Sequence, residues 1–378
     1  VIYLDHAATS WPKPPVVIEA VTRALDTCGN PGRGGHPLAL AAGRTVLDAR
    51  EAVASLLGVP DPARLAFTRN ATEAMNLALR GLLLPGDRVC VTPLEHNAVM
   101  RPLRLLERQG VSITILPADA DGLVDLTAAR TAIAGARLVV ACHGSNVLGT
   151  LQPLDDLGEL AHAAGALFLA DVSQTAGAMP LPLADLPVDF AAFPGHKSLL
   201  GPQGTGGLYI RPGLSLPALL AGGTGSLSEQ EEMPDFAPDR YEAGTPNVPG
   251  LAGLGAAASY LAGIGLDQVR KHEESLVAQF LEGLRFLPVI RVLGLREARH
   301  RAGLVSLSLA EVSPDILAQA LEDGYGICTR AGLHCAPAAH RHAGTWPVGA
   351  VRFSFGYSTT AAEVEEALAA LRTLVAGL

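Results

Sequence analysis

Residues 88–110 read RVCVTPLEHNAVMRPLRLLERQG, and the pattern changes halfway along. The first part, RVCVTPL, is a short β-rich apolar run, and the second, AVMRPLRLLERQG, has helical spacing of its apolar residues. A strand running straight into a helix is the repeating unit of a parallel sheet, because parallel neighbours need a crossover between them. The alternation continues on both sides. LAFT (65–68) precedes the helical ATEAMNLALRGLL, and VSITILP (111–117), RLVVACH (137–143) and ALFLADV (166–172) follow, with DDLGELAHAAG as a helix between the last two. DFAAF (189–193) and GGLYI (206–210) complete the series. The pattern predicts an α/β fold with a mostly parallel sheet covered on both faces.

Composition sets the limits around this reading. Of 378 residues, 49% are apolar and 17% charged, which supplies a large core and excludes a disordered chain. A net charge of -9 disfavours nucleic acid or an anionic membrane as the main partner. The opening VIYLDHAATSWPKPP lacks the basic-then-apolar signature of a signal peptide, and the apolar runs are too broken for a membrane span. Cysteines 28, 90, 142, 328 and 335 are scattered and form no CxxC pair, so free thiols in a reducing, cytoplasmic setting are expected. After about residue 245 the pattern changes. TPNVPGLAGLGAAASYLAGIG reads as a Pro-started helix and DQVRKHEESLVAQFLEGLRFL as an amphipathic one. Strand-like RVLGL, GLVSLSL and VRFSF then alternate with helical segments. The expected organisation is an N-terminal segment (1–15) packed with a small domain, a large domain (16–250), and a small α+β domain (251–378). SLSEQEEMPDFAPD (226–239) reads as an exposed loop.

Unusual polar residues collect at one edge of the expected sheet. His96 follows RVCVTPL, Asn146 follows RLVVACH, Asp171 and Gln174 end ALFLADV, and Lys197 follows DFAAF. Ligands of open α/β sheets bind beyond the C-terminal ends of the strands. Lys197 is notable because the chain has only two other lysines, Lys13 and Lys271, against many arginines. Charge alone would not select lysine; an amine able to lose its proton and attack a carbonyl would. FTRNATEAMNLAL adds a phosphate seat, with the first-turn N–H groups around Ala71 and the Thr72 hydroxyl as donors, although an ordinary helix cap reads the same way. Amine, carboxylate, histidine and phosphate seat together describe pyridoxal 5'-phosphate (PLP).

At this point YLDHAAT, NPGRGGH, NATEAMNLAL, EHNAV, SNVLGT, DVSQTAG, GHKSLLGPQGTGGLYI, YEAGTPN and TRAGLHCAP, spread over nearly the whole length, carry a family resemblance. The chain resembles the class V, fold-type I PLP-dependent transferases, and within them the cysteine desulfurases and selenocysteine lyases, group II-like. The resemblance implies that Lys197 is the Schiff-base lysine, Asp171 pairs with the pyridine nitrogen, and His96 stacks on the ring and moves protons. It implies that Asn146 and Gln174 bond the ring oxygen, that Ala71, Thr72 and His196 hold the phosphate, and that Thr245 reaches the phosphate of a second subunit in a homodimer. Arg352 would clamp the substrate carboxylate, with Arg330, His334 and Asn146 beside it. Pro194 stands where many relatives have a serine, so the remaining donors or GGTGS (222–226) must replace a phosphate hydroxyl.

The cofactor does not name the reaction; TRAGLHCAPAAH (329–340) narrows it. It resembles the RxGxHC loop in which Cys335 takes the substrate's sulfur as a persulfide and alanine leaves, with Arg330 and His334 favouring the thiolate. L-Cysteine and L-selenocysteine fit equally, with a sulfur-acceptor protein or reductant to follow. An aminotransferase in which Cys335 is incidental, and a scaffold without turnover, are the alternatives from other classes. A metal site of Cys335, His340 and His342 lacks further ligands, and no metal is expected. Cys328 reads as packing. GPQGTGG does not open a helix as a dinucleotide loop would, and its glycines read as permitting close approach beside Lys197.

Overall fold

The computed structural model of the protein describes residues 1–32, 34–310 and 312–377. Arg33 of NPGRGGH therefore lies outside the described residues. A short strand, β1 (Ile2–Tyr3), leads into α1 (Pro15–Thr27) and α2 (Pro37–Leu56). The large domain then runs β2 (Leu65–Thr68), α3 (Ala71–Leu82), β3 (Arg88–Val91), α4 (Asn97–Glu107), β4 (Ser112–Ile115), α5 (Leu126–Ile133), β5 (Leu138–Cys142), α6 (Leu154–Ala163), β6 (Leu167–Asp171), β7 (Phe190–Pro194) and β8 (Gly206–Ile210). These strands are the seven runs read from the sequence, each trimmed by at most a few residues.

They form one sheet in the order β2-β8-β7-β6-β5-β3-β4. The ladders from β7 to β4 are parallel, and β8 runs antiparallel to both β7 and β2. Alternation along each strand divides the core. Val139, Ala141, Phe168 and Ala170 pack on one face, and Leu138, Val140, Leu169 and Phe190 on the other. The first face is covered from α2, α5 and α6, the second from α3 and α4.

Downstream come α7 (Val248–Ile264), α8 (Leu266–Leu284), β9 (Ile290–Val292), β10 (Leu304–Leu309), α9 (Pro314–Tyr325), β11 (Ile327–Cys328), β12 (Arg330–Gly332), α10 (Pro337–His342), β13 (Ala350–Ser354) and α11 (Ala361–Ala376). One expectation needs correction. Residues 251–264 do not belong to the small domain: Leu251, Leu254, Ala257, Ala258 and Leu261 of α7 lie in the large-domain core. The helix is apolar nearly all round, and the face carrying these residues is buried while Ser259, Ala262 and Gly263 stay exposed. The small domain takes α8 from Leu276 onward, whereas Val269 near its start still packs in the large-domain core. It builds a second core from α8, α9 and α11 against a β12-β13-β10-β9 sheet. β1 pairs in parallel with β11, which ties the start of the chain to this domain. No single helix among the described residues is long and apolar enough to cross a membrane.

Glu242, in YEAGTPN, fastens the segment before Thr245 onto the large domain. Its carboxylate accepts two hydrogen bonds from buried Arg50, at 2.6 and 2.7 Å, and one from Phe67 N at 2.6 Å. Glu242→Gln would leave a buried guanidinium without its counter-charge. A destabilisation of about 3–5 kcal/mol is expected, read as a lower thermal midpoint.

Candidate active site

Each expected polar residue is delivered by its own element to the C-terminal edge of the large sheet. His96 caps α4 beyond β3, Asn146 lies in the turn after β5, Asp171 ends β6, and Lys197 follows β7. They line a single cavity of about 350 Å³, together with Ala71, Thr72, Gln174, His196, Arg330, His334, Cys335 and Arg352. The amine of Lys197 and the sulfur of Cys335, 138 positions apart in sequence, thus face the same space. Thr245 and most of the GGTGS segment are exposed and outside this cavity, held to each other by Gly244 N donating to Gly223 O at 2.7 Å. Glycines around this edge permit close approach, though the contact shown for the GPQGTGG loop is with the start of α3 and not with Lys197. A Cβ on Gly206 would come within 2.9 Å of the Asn70 backbone, so its absence lets β8 approach the start of α3. Gly195 is pressed against the Thr205 hydroxyl in the same way.

Burial sets the protonation of the site. Lys197 is brought down to about 8, first by desolvation and then by the nearby Arg352, with Asp171 opposing. Its Nζ has no hydrogen-bond or ion-pair partner among the described residues. His96 is lowered to about 4 by burial and by Lys197, so it is neutral at physiological pH. Its Nδ1 accepts from Ala98 N at 3.0 Å, which leaves the proton on Nε2. His196 is likewise lowered to about 4, by burial and by the adjacent lysines, and its Nδ1 lies 3.1 Å from the Thr9 hydroxyl. Asp171 is buried, and Oδ1 accepts from Ser173 N at 2.9 Å. At the start of α3, Asn70 Oδ1 caps Glu73 N at 2.9 Å, so the ordinary cap read from the sequence exists. It leaves the N–H groups of Ala71 and Thr72 and the Thr72 hydroxyl uncommitted among the described residues, and both residues line the cavity.

The cysteine loop is held from several sides. His334 and Cys335 both have left-handed backbones, with φ of 50° and 54°, a conformation that side chains with a Cβ rarely adopt. The carbonyl of Cys335 accepts from Asn97 N at 2.8 Å, and that of His334 from Asn146 Nδ2 at 2.7 Å. The turn leaves Cys335 exposed. His334 does not bring positive charge to the thiol, contrary to the sequence expectation. Burial and Arg352 push it down to about 3, and its ring nitrogens engage the Arg330 carbonyl and His340. Its role is to brace the loop. His340 is bound in turn to the Thr345 hydroxyl at 2.7 Å, and His342 to the Asp119 carbonyl at 2.7 Å, so neither turns toward Cys335 as a metal ligand.

Asp5 was missed as a site residue. It joins the two arginines: Arg330 donates to it from Nε at 2.9 Å, and Arg352 from Nη2 at 2.9 Å. Arg352 also donates to the Asn146 carbonyl at 3.1 Å. The N-terminal segment further supplies Ala7, whose carbonyl accepts from Gln174 Nε2 at 3.2 Å, and Ser10 and Lys13, which donate to the His196 carbonyl. The only signal was a lone carboxylate in the apolar opening VIYLDHAAT.

The comparisons agree with this architecture. The aminotransferase class-V family matches residues 2–367. A probable cysteine desulfurase of Methanothermobacter thermautotrophicus is 36% identical over 96% of this chain and 92% of its own. One from Pyrococcus abyssi is 37% identical over 100% and 95%. Among solved structures, the apo cysteine desulfurase of Thermococcus onnurineus superposes with a TM-score of 0.93 at 35% identity, covering 100% of this chain and 95% of that one. A cysteine desulfurase of Escherichia coli in its S-sulfonic acid form gives 0.88 at 31%, with the same coverage. A family match over almost the entire length, joined to a lysine, a carboxylate and a loop cysteine around one cavity, places the chain in the aminotransferase class-V family, on the branch that holds the cysteine desulfurases.

Proposed function

We propose that this protein is a PLP-dependent cysteine desulfurase: L-cysteine enters, its sulfur passes to Cys335 as a persulfide, and L-alanine leaves. The observation that carries the reading is the shared cavity of a half-buried lysine, whose amine has no hydrogen-bond or ion-pair partner among the described residues, and an exposed cysteine on a left-handed turn. The residues present fit PLP. Ala71, Thr72 and His196 offer donors for a phosphate, Asp171 a carboxylate for a ring N–H, and Lys197 an amine for the aldehyde. When bound, PLP supplies an electron sink for the substrate's carbon skeleton.

The chain's own groups do the rest. With its proton affinity lowered to about 8, Lys197 has a neutral fraction near physiological pH and can accept and return a proton at Nζ. His96 presents Nε2–H to the cavity and can donate there. Arg352, fixed by Asp5 and the Asn146 carbonyl, meets the substrate carboxylate. Cys335 attacks as the thiolate. The S–C bond of the substrate breaks, an S–S bond forms, and the carbon takes up a proton, so cysteine plus enzyme thiol equals alanine plus enzyme persulfide. The exposed Thr245 and GGTGS segment support a homodimer in which this surface completes the phosphate seat of the second protomer and compensates for Pro194.

Alanine formation from L-cysteine and L-selenocysteine by wild type and Cys335→Ala tests the reading. The variant is expected to lose at least about a hundredfold on cysteine, with a smaller loss on selenocysteine because selenium is the better leaving atom. Full activity of the variant on cysteine, or a requirement for an oxo acid, would favour an aminotransferase.

A further inference from the structure

We infer that Asp5 is a specificity-determining positioning residue, whose single charge sets the arginine pair to accept one carboxylate and no more. This rests on the proposed assignment of Arg352 to the substrate carboxylate. Two guanidiniums, Arg330 and Arg352, line the cavity. Unopposed, they would form a doubly charged site suited to a dicarboxylate. Asp5 lies between them, taking two hydrogen bonds from Arg330 Nε, at 3.2 and 2.9 Å, and one from Arg352 Nη2 at 2.9 Å. Asp5 is 8% exposed and Arg352 2%, so water does little to screen that contact, whereas the Arg330 side chain is 50% exposed and its contact with Asp5 is partly screened. The triad keeps one uncompensated positive charge, matched to an amino acid with a neutral side chain. Arg352 Nε is buried with no partner, so Asp5 and the Asn146 carbonyl fix the guanidinium's orientation. Asp5 is not among the residues lining the cavity, so it acts through the arginines that are.

The test uses Asp5→Asn, which keeps an oxygen opposite Arg352 and removes the charge. Acetate and malonate are the probes, measured as competitive inhibitors of the holoenzyme and, independently of turnover, as thermal-shift ligands. The affinity for malonate relative to acetate is expected to rise about tenfold in Asp5→Asn. In Asp5→Asn/Arg330→Gln, which restores one net charge, the ratio is expected to return to within about threefold of wild type. An unchanged ratio in Asp5→Asn, or a double variant that keeps the raised ratio, overturns the inference. If Asp5→Asn does not fold, Arg330→Gln alone leaves Asp5 cancelling Arg352 and is expected to weaken acetate about tenfold; unchanged acetate binding overturns the charge count. The thermal-shift arm reads carboxylate binding whether or not the wild type makes alanine, so failure of the desulfurase reading is seen separately.

Discussion

Lys197→Arg is expected to stop turnover while the protein stays folded. Arginine keeps the positive charge, and the adjoining cavity of about 350 Å³ gives the larger head room. What it cannot keep is the lone pair. Burial brings the lysine amine to about 8, within reach of deprotonation at neutral pH, whereas a guanidinium holds its proton throughout. Alanine formation is expected to fall by at least about a thousandfold, since both the nucleophile and the proton carrier at Nζ are lost. Borohydride treatment, which should fix the cofactor to the wild type, should fix none to the variant. Retention of more than about a tenth of the wild-type rate would show that position 197 is not where the chemistry begins.

The second large effect is on acid stability. His6, His96, His143, His196 and His340 are lowered to about 4, and His334 to about 3, in each case first by burial. In the unfolded chain they titrate near 6.5. As pH falls through 6.5 the unfolded chain gains protons that the folded one refuses, so stability drops until the folded values near 4 are reached. Glu95 and Glu273 act oppositely. Burial raises both to about 8, so the folded chain holds their protons while the unfolded chain, near 4.5, does not, and their contribution grows as pH falls from 8 to 4.5. Six histidines outweigh two carboxylates. The thermal midpoint is expected to fall by on the order of 10 °C or more between pH 6.5 and 4.5. A flat profile over that range would mean that these rings are solvated. His143 and His340 lie outside the cavity, so the effect should persist without cofactor.

How far the sequence could be read follows from what local pattern encodes. The seven large-domain strands were legible because each is a short apolar run closed by polar or turn residues, and the edge at which they end followed from their being parallel. Lys197, Asp171, His96 and Cys335 were legible because rare residue types stand out in an apolar chain. Asp5 was not. Its meaning comes from Arg330 and Arg352, residues 325 and 347 positions away, and no local period carries that pairing. The charge state of His334 was misread for a similar reason. Beside a cysteine in sequence it looks like a source of positive charge; in space it is enclosed, with Arg352 near it. The end of α7 shows a third limit. A helix between two domains belongs to the one whose core it enters, which depends on partners and not on where a change of pattern falls.

The opening residues of the chain have a consequence for how the protein is made. Asp5, Ala7 and His6 close onto Arg352, Ser354 and Thr359, with separations of 347 and 353 positions. On a ribosome, residues 5–7 must therefore wait for residues 352–359, some 350 positions later, before they can dock. Contacts so distant in sequence form slowly, because the intervening loop has to be closed first. The large sheet can assemble in the meantime from neighbouring strands and helices. Catalytic competence should then lag behind the appearance of secondary structure during refolding, with the corner around Asp5 and Arg352 the last part to mature.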